Sequence, residues 1–334
     1  MPDVFVTEIH AVTEKALAAH GASAHVASEM AKAVAWAEAR RNRICGLYYV
    51  ESYCQQLVSG RVDGRAVPQV SRPRPGVVAI DAANGFAQPA FAHALHEAVG
   101  AAKEQGIVSV PISRAHTCTA LGYFTEMAAK AGVMALGATN ASPIVAPPGG
   151  KTRVIGTNPM SFAAPDGQGG IAMAFDQSTT TVALGRITMA KAAGELIPEG
   201  WAVDADGKPT TDPEAALKGS LTSLGGLEQG YKGWGFGLMA ELLAAGMTGG
   251  FVSRDVKPLK APEGDPHNLG QYFILIDPAG SGAFFDRLSQ VQEGVAMDQG
   301  ARMPGANKTL TDPVDVPEPL WTQMLTLSQG PAHA

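Results

Sequence analysis

The sequence predicts an α/β fold. Three observations carry this expectation. Between Gly76 and Asp176, short β-branched runs alternate with helical stretches. The first 60 residues carry apolar residues at helical rather than alternating spacing. A late strand-like run, QYFILID, is followed by another helical stretch. Alternation of this kind favours helices packed on a largely parallel sheet.

The elements follow in chain order. Val12, Leu17, Val26, Met30 and Val34 recur as a buried helical face requires, and Ser23 is placed to cap a second helix. A third helix over Leu47–Val58 stops at Ser59-Gly60. Residues 61–75 (RVDGRAVPQVSRPRP) read as an extended connector and mark a soft boundary. VVAI then reads as a strand. Pro89 opens a helix that Gly106 ends. IVSVPI is a strand, GYFTEMAAKA a helix, VMALGATN a strand, and a long Gly/Pro/Asn-rich loop reaches Pro165. A loop of that length is expected to bind something. IAMAFD is a further strand and Thr179–Ala193 a helix. Residues 194–230 are polar and irregular, and GYKGWGFGLMAELLAAG opens a Gly-rich helix. The last helix is expected over 283–300. Three segments result: 1–75, helical and on the substrate side; 76–250, α/β and cofactor-binding; and 251–334, returning to the N-terminal lobe.

Composition narrows the function. The 334 residues are long enough for more than one lobe, 46% are apolar, and the net charge is −6. No basic stripe with aromatic interleaving is present, so nucleic acid is not an expected partner. No apolar run approaches the roughly 20 residues that cross a bilayer, and the N-terminus lacks the pattern of a secretory signal. Cys45, Cys54 and Cys118 match no metal-ligand spacing and cannot all pair, which points to a reducing cytoplasm. No HExxH, CxxC or Asp-rich loop supports a metal site, and no GxSxG elbow supports a serine hydrolase. The GxGxxG dinucleotide fingerprint is absent.

Candidate chemistry centres on His116. It follows the run Ile107–Ile112 and is flanked by Thr117 and Thr119, at the strand end where α/β proteins place reactive groups. Imidazole suits general acid/base work because its reference pKa, about 6.5, lies near working pH. Of the other histidines, His10, His20, His25, His93 and His96 fall on helices and His333 in the tail. Asp176 ends IAMAFD; it reads either as a helix N-cap or as a contact to ligand in the same crevice. Arg40 and Arg41 suit a helix C-terminus, whereas Arg43 and Arg114 are candidates for pairing with an anionic substrate. Gly233, Gly235 and Gly237 allow either close helix packing or an anion site with Lys232.

These stretches resemble the malate/L-lactate dehydrogenase-like oxidoreductases, over nearly the whole chain. The resemblance is carried by H-x4-G-Y-F at 116–124, TNASP then APPGGK at 139–151, GTNP at 156–159 and FDQSTT…ALGRITMA at 175–190. IPEGWAVDADGKPTTDP at 197–213, GYKGWGFGLMAELL at 230–243 and ARMPG at 301–305 extend it. It implies a nicotinamide-binding α/β fold that is not a Rossmann fold, and a homodimer. His116 would be the acid/base and Asp176 would hold or protonate substrate. The cofactor, NADP with NAD as the alternative, would lie against Thr117, Cys118, Thr119, Ala120, Asn140, Ser142, Pro143, Asp176, Gln177, Ser178, Arg186, Tyr231, Lys232, Met303, Pro304 and Gly305.

One motif departs from the family pattern. Where the family shows Ser-His-Gly, an Arg three residues on and a Tyr four further, this chain has Cys45 for the His and Tyr49 for the Arg, with Tyr53 retained. This version most resembles the family's sulfolactate dehydrogenases. The expected substrate is therefore a small anionic 2-oxo or 2-hydroxy acid, with sulfopyruvate/sulfolactate leading and Arg43, Tyr49, Tyr53 and Arg114 facing it. The alternatives are a cyclic imine carboxylate reductase and a non-catalytic dinucleotide binder.

Overall fold

A computed structural model describes residues 1–305 and 310–331, so His333 lies outside the described residues. Its centre is a seven-stranded sheet. Along the sheet the strands run Gln69–Arg74, Val77–Asp81, Ile107–Ala115, Leu269–Ile276, Met134–Thr139, Met160–Pro165 and Ile171–Gln177. Only Val77–Asp81 and Ile107–Ala115 pair in parallel; the other neighbours are antiparallel. The sheet is thus mixed, where the alternation predicted a parallel one. The reason is the late strand LGQYFILI, which inserts between Ile107–Ala115 and Met134–Thr139 and runs against both. Its nearly continuous burial suits a central strand covered on both faces.

Helices Ala87–Gln105 and Gly122–Lys130 lie on the sheet. Phe91, Phe124 and Phe273 interlock there, with ring centroids 4.8–5.3 Å apart. A second core joins helices Val6–Ala19, Ala24–Ala39 and Val50–Ser59 to Val314, Val316, Trp321 and Met324 near the C-terminus. Asp3–Val4 and Val314–Asp315 pair as a two-stranded ribbon. A third core, around Ile155, Ile187, Ile197 and Leu221, holds the region after the main sheet. The main sheet draws strands from both sides of residues 75 and 250, since Gln69–Arg74 precedes the first of these positions and Leu269–Ile276 follows the second.

Local readings hold where side chains dominate. Ser23 accepts the Val26 N–H at 3.3 Å, and Gly60 ends its helix with φ of 77°. Several elements were not legible, the helices Pro213–Lys218 and Glu318–Leu327 among them. Met160–Pro165 is a strand inside the expected loop, because MSFAAP has small residues and a proline instead of a β-branched run. The helix expected from Thr179 begins at Leu184, so nothing helical follows Asp176 directly. Among the described residues no helix is long and apolar enough to cross a membrane.

Candidate active site

Burial and hydrogen bonding define the state of His116. The strand Ile107–Ala115 delivers it to the interior, where it is 2% exposed. Its Nε2 lies 2.7 Å from Gln56 Oε1. The Gln56 amide nitrogen donates to Leu259 O (2.8 Å) and Ala261 O (2.7 Å). Those two carbonyls fix which way the amide faces, so its oxygen meets the imidazole and His116 carries its hydrogen on Nε2. Nδ1 is then a lone pair, buried and without a partner among the described residues. Tyr53 and Phe86 meet the ring edge-on, and His267 stacks on it at 4.0 Å and 22°. Burial pushes the His116 pKa well below its ordinary value, and His267 acts in the same direction. The imidazole is a neutral acceptor at neutral pH.

A second group converges from three other elements. Asp176 sits near the end of the strand Ile171–Gln177, and its Oδ2 accepts the N–H of Gly122 at 2.7 Å. Gly122 opens the helix Gly122–Lys130, whose N-terminal dipole favours a carboxylate there. Asp176 therefore does cap a helix, but one 54 residues earlier in the chain. Gly122 is needed for the approach, since a Cβ would lie 2.9 Å from Asp176 Cβ. Burial, then the charge of Asp176, raises the thiol pKa values of Cys45, to about 12, and Cys118. Both remain protonated thiols. Tyr49, raised by burial to about 12, lies 5.7 Å from Tyr53 with the rings tilted at 35°, and Tyr53 in turn meets His116 edge-on. The 43–53 turn, the 116–120 loop and Asp176 thus lie close together.

Arg43 and Arg114, the expected anion receptors, have other partners. Arg43 lies 2.7 Å from Asp315 Oδ2 and also donates to Asp315 O at 3.1 Å. Arg114 grips Asp81 with two nitrogens, the Nε contact being 2.8 Å. Each guanidinium holds its carboxyl below the ordinary range. Each charge already faces a carboxylate, in pairs at the surface where Arg43 and Arg114 are 43% and 51% exposed.

A family model described as malate/L-lactate dehydrogenase matches residues 4–312. The chain belongs to the malate/L-lactate dehydrogenase family. It is an oxidoreductase. It is 35% identical over 333 residues, 96% of each chain, to the delta(1)-pyrroline-2-carboxylate reductase of Ancylobacter novellus. It is also 35% identical, over 91% of this chain and 90% of the relative, to the (2R)-3-sulfolactate dehydrogenase (NADP(+)) of Chromohalobacter salexigens. The delta1-piperideine-2-carboxylate reductase structure from Pseudomonas syringae superposes with a TM-score of 0.88 at 32% identity, covering 98% of this chain and 100% of that one.

In this malate/L-lactate dehydrogenase-family chain, the residues that the sequence resemblance suggested for a dinucleotide divide into a buried and an exposed set. Thr117, Cys118 and Ala120 are buried, and Thr119 takes a left-handed φ of 53°. The Cys118 carbonyl accepts from Gln88 Nε2 and from the Thr119 hydroxyl. Asn140 donates to Phe251 O at 2.7 Å while its Oδ1 stays buried without a partner among the described residues. Such an acceptor fits the carboxamide of a nicotinamide. Ser142 donates to Lys257 O, and Pro143 adjoins it. Met303–Gly305 lies along the Asp176 strand, with Pro304 O accepting the Ala174 N–H at 2.9 Å. Gln177, Arg186, Tyr231 and Lys232 are exposed, and Ser178 is half-buried beside Thr180. Neither Arg186 nor Lys232 has an ion-pair partner among the described residues. The helix Gly226–Glu241 begins before GYKGWGFG, so its glycines are internal. Gly233 packs on Leu224 and Gly237 on Ile155, which makes close packing their role. Among the described residues no group of three or more His, Cys, Asp or Glu is arranged to hold a metal.

Sequence reasoning missed Gln56, Arg61, Lys260 and His267. Gln56 had a signal: it lies three residues after Tyr53, on the same face of its helix. Arg61 gave none because it falls in the stretch read as an extended connector, and Lys260 and His267 gave none because the 256–268 segment has neither period nor motif.

Proposed function

We propose that this protein reduces the C=N bond of a cyclic imine 2-carboxylate, of the pyrroline- or piperideine-2-carboxylate type, using NADPH. The observation that carries this reading is the pairing of Arg43 with Asp315 and of Arg114 with Asp81. A sulfopyruvate carries two anionic groups and needs a pocket rich in free cations, and both expected guanidiniums are committed. A cyclic imine carries one carboxylate and a ring, which suits the aromatic wall of Tyr49, Tyr53 and Phe86.

The protonation state of His116 supports the same choice. When bound, the dinucleotide supplies a hydride to the imine carbon. A protonated imine brings its own N–H, which the lone pair on His116 Nδ1 can accept, and the Asp176 carboxylate balances the iminium charge. The product nitrogen keeps that proton, so atoms and charge balance without a separate acid. A ketone would need a proton donor, and the Nε2 hydrogen of His116 is already given to Gln56. Unpaired Arg186 and Lys232 support a cofactor carrying a 2′-phosphate. A homodimer is proposed from the exposed Leu227, Tyr231, Phe236 and Met239 on one helix.

The test is initial rates at 340 nm with NADPH or NADH against a piperideine-2-carboxylate, a pyrroline-2-carboxylate, sulfopyruvate, oxaloacetate and pyruvate. An imine preference of at least about 100-fold in kcat/KM is expected. A comparable preference for sulfopyruvate overturns the imine reading and leaves the family assignment intact.

A further inference from the structure

Between the short turn Ser253–Asp255 and the strand Leu269–Ile276, the chain crosses the His116 site as a strap. Its buried Val256 and His267 seat its two ends, and His267 stacks on His116. The strap is held by the end of the helix Val50–Ser59 and the residues just beyond. Arg61, 2% exposed, donates to Pro258 O, Ala261 O and Asp265 O. Gln56 donates to Leu259 O and Ala261 O, and Ser59 to Pro262 O. The carbonyls on both sides of Lys260 are thereby fixed, and by the same Gln56 that orients His116.

The side chain of Lys260 is placed as carefully as its backbone. Its Nζ lies 3.4 Å from the ring centroid of Tyr48 and 5.1 Å from that of Tyr49, and donates to Tyr48 O at 3.1 Å. No carboxylate comes within ion-pair distance of it among the described residues. An ammonium has three donors, and one carbonyl uses one of them. The two rings attract the cation but supply no counter-charge, and with Tyr48 55% exposed the ammonium is open to an incoming anion. Tyr49 packs at a tilt against Tyr53 and Tyr53 meets His116, so the ammonium stands at the outer end of the aromatic row that leads to His116. Arg43, on the neighbouring turn, differs in having its carboxylate within the fold.

We propose that Lys260 is the receptor for the substrate carboxylate and so determines selectivity for 2-carboxylated substrates. The proposal rests on the imine-carboxylate reading for the identity of the anion.

The experiment compares wild type, Lys260→Met and Lys260→Arg. Methionine keeps the aliphatic stem over Tyr48 and Tyr49 and removes only the charge. The first readout is calorimetric titration of the NADP-loaded enzyme with picolinate, an aromatic 2-carboxylate that is not turned over, and with uncharged picolinamide. Picolinate affinity should fall about 10- to 100-fold in Lys260→Met and recover in Lys260→Arg, while picolinamide is unaffected. The second readout is steady-state kinetics on the best substrate of the wild type. KM should rise by a similar factor, with kcat and NADPH affinity held within about threefold. An unchanged picolinate affinity in Lys260→Met overturns the role of Lys260, even where the wild type reduces imines well. Equal losses for picolinate and picolinamide assign Lys260 a purely structural role and overturn it too. A wild type that favours sulfopyruvate removes the imine reading alone, because the picolinate titration still decides Lys260.

Discussion

Replacing His267 with Phe should make the protein more resistant to acid. His267 is 4% exposed, and neither ring nitrogen has a hydrogen-bond partner among the described residues. Burial lowers its pKa from 6.5 to about 3, and the Arg61 cation acts in the same direction. A histidine whose pKa is depressed by folding contributes stability above its unfolded pKa and loses it as pH falls from about 6.5 towards 3. In that window the unfolded chain binds a proton that the folded chain refuses. Integrated from pH 8 to pH 5, one such histidine removes about 2 kcal/mol of stability. His116, shifted in the same direction, contributes a second loss of the same sign. Phenylalanine preserves the 4.0 Å stack on His116 and abolishes one of the two titrations. Urea denaturation of the apoprotein, followed by fluorescence of its four tryptophans, measures this directly. Wild type should lose about 2 kcal/mol more than His267→Phe between pH 8 and pH 5. An identical loss in the two proteins would show that His267 is solvated or already protonated in the fold, and would refute the neutral stacked pair.

Three further substitutions test the site. His116→Ala should lower kcat by about 10²- to 10⁴-fold while NADPH still binds in a fluorescence titration, and near-wild-type turnover would remove His116 from the chemistry. Asp176→Asn keeps an oxygen for the Gly122 N–H, so the melting temperature should shift by only a few degrees, yet turnover should fall at least about 100-fold. Full activity in that variant would reduce Asp176 to a helix cap. Gln56→Leu strands the Leu259 carbonyl and the His116 N–H, while Ala261 O keeps its Arg61 donor, and should cost about 2 kcal/mol in chemical denaturation, with a larger fractional loss in kcat than in NADPH affinity.

The sequence was most informative where the interaction is local. The β-branched run from Ile107 announced its strand, and the residue just past the end of that strand is His116. Ser23 and Gly60 ended helices as their side chains, or lack of one, require. Family membership was equally legible, because collinear motifs spread along the chain leave little room for another fold. Reading failed where small residues form a strand because neighbours cover both faces, as in MSFAAP, and where a late strand enters the middle of the sheet.

What the chain alone determined is therefore the class of chemistry, an oxidoreductase, and the place of its histidine just past a strand end. Only tertiary structure decided which charges are available to a substrate. Arg43 looked free in sequence because its partner, Asp315, is 272 residues away, whereas Lys260 carried no signal at all until the strap placed it over Tyr48 and Tyr49. The physical reason is that a charge acts according to what neutralises it. Neutralisation falls off over a few ångströms in space and takes no account of separation along the chain.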